Sequence, residues 1–382
     1  MASIQKRMRN GKTTYRVQYR DPAGQMRGKV FQRKVDAERF RTENEHAKNT
    51  GGWVDPALGR VTLATYAAGW LEAQTSDPLT REGIESRIRL HVLPMLGDYP
   101  LAALKPSTIK AWVRGLQGEL APSYVRVIHA SLSGMLGAAV EDGLLAKSPT
   151  AAASARPPAA PQAKVVPWTV EQVAAVTDEL PAPLAATTAA AAGLGLRQGE
   201  VFGLAVDDVD FLRKVVHVRR QVRIVGNTLV FSPPKTGKSR DVPLPGSVAL
   251  ALAAHLVRYP ARTVRLAWVQ PSGKATRAVL LFSSETGALD RNSFNGAWRA
   301  ARERAGIPAG RENGLHALRH FYASSLLQQG VNVRAVSEYL GHTDPGFTLR
   351  VYGHLMPAAH DQARRAVDVA LASSPVVAHA AP

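Results

Sequence analysis

The stretch "GLHALRHFYASSLLQQGVNVRAVSEYLGHTDPGFTLRVYGH", residues 314–354, decides how this chain is read. Apolar residues recur three and four apart in its first half, which predicts a helix from His316 onward. His316 and Arg319 then share one helical face, beside a run of small and apolar residues. An ordinary amphipathic helix does not look like that. His342 follows at a helix end after Leu340-Gly341, and Tyr352 stands ten residues further on. Tyr352 either plugs a helix into the core or does chemistry with its phenol.

Composition narrows the choice. A chain of 382 residues is long enough for two or three domains, and 45% hydrophobic content packs cores. A net charge of +18 calls for a polyanionic partner. The start "MASIQKRMRNGKTTYRVQ" has no signal-peptide core, and "PLAATTAAAAGLGL" is too short and too rich in Ala and Thr to span a bilayer. Nucleic acid is therefore preferred over a membrane, in a soluble cytoplasmic protein. Cysteine is absent, which excludes disulfides, thiolate catalysis and Cys-based zinc sites.

Working outward, residues 1–50 carry 13 Lys and Arg against 5 Asp and Glu. "TYRVQYRD" and "RGKVFQRK" alternate like strands around a turn at "PAGQ", and "VDAERFRTENEHAKN" is a helix ending near Gly51 and Gly52. A small sheet backed by a helix (residues 1–60) would offer Arg16, Arg20, Lys29 and Arg33 to DNA. Residues 61–149 have helical periodicity throughout, with Ser107 and Ser123 at expected N-caps and Arg87, Lys110 and Arg126 available for phosphates. "SPTAAASARPPAAPQAKVVP" reads as a linker, bounded at 150–166. Residues 167–382 are mixed: a capped helix at "TVEQVAAVTDEL", a buried Ala-rich helix to Leu196, then short strands with a hairpin turn at Gly226-Asn227 and further helices. The expected fold is multidomain and mainly α, with small β-sheets.

Three motifs fail. "GLGLRQG" has the wrong glycine spacing for a dinucleotide and follows an Ala-rich helix, not a strand. "TGKSR" lacks the first glycine of a phosphate loop. In "HALRH", His316 and His320 have the spacing of a two-histidine metal site, but the glutamate of a metalloprotease helix is missing and Arg319 repels a cation. No metal is expected.

Cutting a phosphodiester without metal needs fixed cations on the non-bridging oxygens, a nucleophile in line, and an acid for the leaving oxygen. Arginine suits the clamp because its planar fork binds phosphate with two bonds and keeps its charge. "GLGLRQGEVFGL" offers Arg197 at a helix start, with Glu200 three residues on, on the same helical side and able to orient a neighbouring base or arginine. "PPKTGKSRDVPL" puts Lys235 at the tip between two strands, where it can reach a DNA groove; Lys238 is the decoy on that turn. His316, Arg319, His342 and Tyr352 complete the set.

"LRQGE", "PKTGKSRDVPL", "HALRH", "LGH" and "VYGH" together resemble the tyrosine recombinases, also called phage integrases, over about residues 168–356. The resemblance implies an arm-type DNA-binding domain at 1–60, a helical core-binding domain at 61–149, and a mixed α+β catalytic domain with a C-terminal tail at 167–382. It implies that Arg197 and Arg319 clamp the phosphate, Glu200 supports them, Lys235 is the hairpin lysine acting as general acid, and His316 and His342 assist. Tyr352 takes the nucleophile's place, while Tyr322 and Tyr339 read as packing. The implied activity is a site-specific integrase of a phage or other mobile element, cutting and rejoining DNA through a 3′-phosphotyrosyl link. Neither cofactor, metal nor ATP is implied. The implied partners are double-stranded attachment sites, a homotetramer on DNA, and accessory DNA-bending and excision factors, in the cytoplasm of a bacterial host. The tail "AAHDQARRAVDVALASS" is expected to dock on a neighbouring protomer. Two alternatives stay open: a type IB topoisomerase-like relaxing enzyme, and a non-catalytic DNA-binding regulator.

Overall fold

The computed structural model describes residues 2–9, 12–20, 26–49, 60–159, 164–285, 287–356 and 360–372. The turn expected at "PAGQ", the helix stop at Gly51-Gly52, residues 160–163 of the expected linker, and the first and last residues of the expected docking tail lie outside the described residues. The chain forms two compact units, Met1–Gln162 and Ala163–Pro382.

In the first unit, β1 (Ser3–Arg9), β2 (Lys12–Arg20) and β3 (Met26–Phe31) make an antiparallel sheet in that order, followed by α1 (Lys34–Asn49). Strand side chains alternate between faces, so Val17 and Tyr19 of β2 meet Ala37 and Phe40 of α1 in a small core. Strand β1 is absent from the sequence expectation. Its apolar residues are only Ile4 and Met8, and Met8 stays exposed, so the strand is held by its ladder to β2 more than by a buried face.

The helices α2 (Leu63–Glu72), α3 (Pro78–Arg87), α4 (Leu93–Leu96), α5 (Pro106–Gln117) and α6 (Pro122–Glu141) enclose a separate core that includes Ile88, Val92, Trp112, Ile128, Leu132 and Leu136. The residues Ile88–Val92 between α3 and α4 are wound as a π-turn. Pro94 supplies the reason: it has no N–H, and its ring crowds the carbonyl one turn back, so the helix widens there. Ser107 and Ser123 are not N-caps. Pro106 and Pro122 begin their helices, with Lys105 and Ala121 in the cap positions and no side-chain cap bond; a proline's fixed φ and missing donor suit that first position. The segment expected to open the linker is packed: Pro149–Ala151 and Ala153–Ala155 form 3-10 turns that bury Pro149, Thr150 and Ala155.

The second unit opens with α7 (Val170–Glu179), started by a capping box between Thr169 and Gln172, then α8 (Ala182–Leu194) and the short α9 (Gln198–Phe202). Strands β4 (Val209–Asp210), β5 (Val215–Val218), β6 (Gln221–Val225), β7 (Thr228–Ser232) and β8 (Arg240–Pro243) precede α10 (Gly246–Arg258). Gly226 and Asn227, both at positive φ (52° and 64°), make the tight turn between β6 and β7. The strands β9 (Arg262–Trp268) and β10 (Ala275–Leu280) extend that sheet to the order β10-β9-β7-β6, while β4, β5 and β8 form another. After the two-residue strands β11 (Ser283–Ser284) and β12 (Gly287–Ala288), the chain turns helical again. The last helices are α11 (Arg291–Arg304), α12 (His316–Gln328), α13 (Val333–Leu340), α14 (Pro345–Tyr352) and α15 (His360–Ala372). Phe202, Phe231, Phe294, Leu318, Tyr322, Leu340 and Tyr352 share one core.

Candidate active site

The site begins where α8 stops. Gly195 closes that helix at φ 62°, and a Cβ there would lie 2.4 Å from the ring of Tyr322. The tight turn delivers Arg197 to the cap position of α9. Its backbone N–H donates to Glu200 Oε2 and its Nη1 to Oε1, each at 2.9 Å. From β8, Arg240 reaches the same carboxylate with both terminal nitrogens, at 3.0 and 2.7 Å. Burial alone would raise the Glu200 pKa. The hydrogen bonds and charge of Arg240, with the charge of Arg197, outweigh it and hold the group down to about 2.

The end of α13 supplies the other anchor. A helix C-terminus leaves carbonyls unpaired and carries partial negative charge. Here three consecutive carbonyls each accept from a different arginine: Tyr339 from Arg240 Nε (2.7 Å), Leu340 from Arg319 Nη2 (2.6 Å) and Gly341 from Arg197 Nη2 (3.3 Å). Arg319 also donates to the Gly195 carbonyl at 2.7 Å. Burial, then the charges of Arg197 and Arg240 against the pull of Glu200, push Arg319 down to about 9; it stays a cation at neutral pH.

Around these guanidinium groups stand the histidines and the lysine. His342 follows α13, and its Nδ1 lies 2.8 Å from the hydroxyl of buried Thr348. Burial and the charges of Arg319, Arg197, Arg240 and His316 push His342 to about 3. His316 keeps an exposed surface, yet partial burial and then the charges of His320, Arg319, Arg197 and Lys235 lower it to about 4. Both imidazoles are neutral at pH 7. The charge of Lys235 reaches His316 in the same field. Lys235 is exposed but not at a hairpin tip: β7 and β8 belong to different sheets, and the lysine sits on the crossing between them.

Tyr352 ends α14. The segment before it is a helix that starts at "DPG": Asp344 caps it by accepting from Gly346 N–H, with Pro345 in the first turn. The ring of Tyr352 is 2% exposed, and its hydroxyl lies 2.7 Å from His320 Nδ1. Burial raises the phenol to about 12, and Arg319 pulls the other way. The six expected residues, Arg197, Lys235, His316, Arg319, His342 and Tyr352, thus fall in one electrostatic neighbourhood, with Glu200 beneath them.

Sequence reasoning missed Arg240, Thr348 and the contact of His320 with Tyr352. A signal existed for Arg240: it alternates with Val242 on β8, and both are buried while Asp241 and Pro243 are exposed. Among the described residues, no group of three or more His, Asp or Glu is placed to hold a metal ion.

The expected DNA-contacting residues divide. Arg16 and Arg20 lie on the sheet face away from α1, and Gly28 leaves room for the Arg16 guanidinium to lie across β3. Lys29 pairs with Val17 on the opposite face, and its amine sits 4.8 Å from the Phe40 ring centre. Arg33 is exposed just before α1. In the helical core, Arg87 donates to Ser131 Oγ at 2.9 Å, while Lys110 and Arg126 are exposed.

Residues 167–358 match the phage integrase family, and residues 62–117 match the phage integrase N-terminal SAM-like domain. The chain is 28% identical over 382 residues to a "Tyrosine recombinase XerC-like" protein of Caldanaerobacter subterraneus, covering 94% of this chain and 96% of that one. It is 26% identical to the integrase of Mycobacterium phage L5 over 331 residues, covering 84% and 85%. In fold it is similar to a lambda integrase tetramer bound to a Holliday junction, with TM-score 0.59, 16% identity, and coverage of 92% and 94%.

Proposed function

The chain belongs to the phage integrase family, and on that footing we propose that it is a site-specific DNA recombinase that integrates a mobile element through a 3′-phosphotyrosyl intermediate. The observation that carries this reading is the cluster of Arg197, Arg240 and Arg319 at the end of α13, with His316 and His342 in its field and Arg319 acting on Tyr352. Fixed cations aimed at one point suit a phosphoryl group, whose charge shifts in the transition state. In this reading Arg197 and Arg319 grip the non-bridging oxygens, and Glu200 holds Arg197 in place. Neutral His342, with Thr348 donating to Nδ1, keeps its proton on Nε2 for a phosphate oxygen. His316 assists, Lys235 protonates the leaving 5′ oxygen, and Tyr352 attacks phosphorus.

The covalent link preserves the bond's free energy, so rejoining needs neither ATP nor a metal ion. The proposed organisation is an arm domain at 1–60, a core-binding domain at 61–149 against which the first residues of the 150–166 linker pack, and a catalytic domain at 167–382. The lambda integrase tetramer on a Holliday junction supports a four-protomer complex on DNA. In the proposed complex α15 docks on a neighbour, and host or phage accessory factors bend the DNA and assist excision. No described helix is long and apolar enough to cross a membrane, which suits a cytoplasmic, DNA-associated place of work.

A nicked duplex carrying the attachment site tests the reading, because loss of the short cleaved fragment traps the covalent state. The wild type should give an adduct that survives denaturation, and Y352F none. An adduct formed by Y352F would remove Tyr352 as the nucleophile, and no wild-type adduct at all would leave only a DNA-binding role.

A further inference from the structure

We propose that His320, a residue outside the set assigned above, accepts the phenolic proton of Tyr352 as the tyrosine attacks; this rests on the recombinase reading. The hydroxyl of Tyr352 lies 2.7 Å from His320 Nδ1, with ring centres 5.6 Å apart. With its ring 2% exposed, Tyr352 has little access to bulk water, so its proton needs an acceptor within the protein. The neighbours do not serve. Arg197, Arg240, Arg319 and Lys235 are cations with no lone pair to give. Glu200 is held by Arg197 and Arg240, and His342 Nδ1 is engaged by Thr348. His316 stands edge-on to His320, ring centres 4.7 Å apart, with no hydrogen bond to the phenol.

Helix α12 explains how one element does two jobs. Arg319 points inward to the carbonyls of Gly195 and Leu340. His320, one residue on and about 100° round the helix, meets α14. The charged and titratable groups around it are His316 and Arg319 from its own helix and Tyr352 from α14. Burial and the charge of Arg319 keep the imidazole below its ordinary pKa, so it is neutral at pH 7. In the tautomer with the proton on Nε2, Nδ1 accepts from the hydroxyl.

The step balances without a further reactant. The Tyr352 O–H bond breaks and its proton goes to Nδ1 as the Oη–phosphorus bond forms. The phosphorus–O5′ bond breaks, and that oxygen takes a proton from Lys235. The products are the phosphotyrosyl link, a 5′ hydroxyl, an imidazolium and a neutral lysine. Religation returns both protons.

The test is single-turnover cleavage by the full chain of nicked duplexes with either oxygen or sulfur at the bridging 5′ position. Sulfur leaves without an acid, so it should relieve K235A. H320N and H320Q keep a hydrogen-bonding group but cannot take the proton. Each should bind DNA as the wild type does and form adduct about 10²-fold slower or worse with both leaving groups. Wild-type rates on the sulfur duplex should also fall as the pH is lowered and an imidazole protonates, a limb absent in H320N. Full activity of H320N, relief of its defect by sulfur, or a flat wild-type profile on the sulfur duplex overturns the proposal. Should both variants fail to fold, the wild-type profile alone decides. A wild type that forms no adduct on any duplex sinks the recombinase reading instead.

Discussion

Arg240 and Glu200 show what a buried ion pair costs when one partner goes. The carboxylate is 1% exposed and takes both terminal nitrogens of Arg240. R240A should destabilise the fold by roughly 3–5 kcal/mol, because a buried charge is left half-paired; a shift in denaturant midpoint measures it. The pair also sets an acid limit. The Glu200 pKa drops from 4.5 to about 2 in the folded chain, so the unfolded state binds this proton more readily. The stabilisation is whole above about pH 4.5 and fades as the pH falls toward 2, by an amount on the order of 3 kcal/mol. E200Q should lose that acid-sensitive limb and lower stability at pH 7; an unchanged limb refutes the assignment. At this scale the sequence was informative where a residue type announces its chemistry. The resemblance named Arg197, Arg319 and Tyr352; alternation with Val242 in "SRDVPL" marks Arg240 as facing inward, but nothing local tells that its partner is a carboxylate forty residues away.

Among elements, the closing turns of α8 and α13 matter most, since both are left-handed glycines whose carbonyls take an arginine. Gly195 has no room for a methyl group: a Cβ would meet Tyr322 at 2.4 Å and would sit on a backbone with φ 62°. G195A should cost about 1–3 kcal/mol and lower the cleavage rate more than DNA affinity, because it displaces Arg319 and not the outer contacts. Thermal melting and single-turnover cleavage measure the two effects; a stable, fully active G195A would refute the role. The helices of this unit were legible from apolar spacing. Helix α14 was not: Asp344-Pro345-Gly346 serves a turn as well as a helix start, and only packing against α12 and α13 selects the latter.

For the whole molecule, a net charge of +18 makes salt-dependent DNA affinity certain and therefore uninformative by itself. The division of the first sheet is more telling. R16A and R20A in the full chain should each weaken DNA binding and reduce the slope of log affinity against log salt by about 1. K29A should leave that slope nearly unchanged and loosen the small core, where its amine lies over Phe31 and Phe40. Equal slopes for all three would refute the division. The strands β2 and β3 and the helices after them were readable from alternation and periodicity, but the face chosen by Lys29 was not, because register depends on the β2–β3 ladder. The three guanidinium groups fastened to the end of α13 have one further consequence. With a lone carboxylate among them, the empty protein is a spring of like charges held shut by its own backbone, and a duplex arrives as the missing counter-ion. Binding should therefore raise the melting temperature of the second unit, most in dilute salt, and more with an intact central phosphate than with an uncharged methylphosphonate in its place.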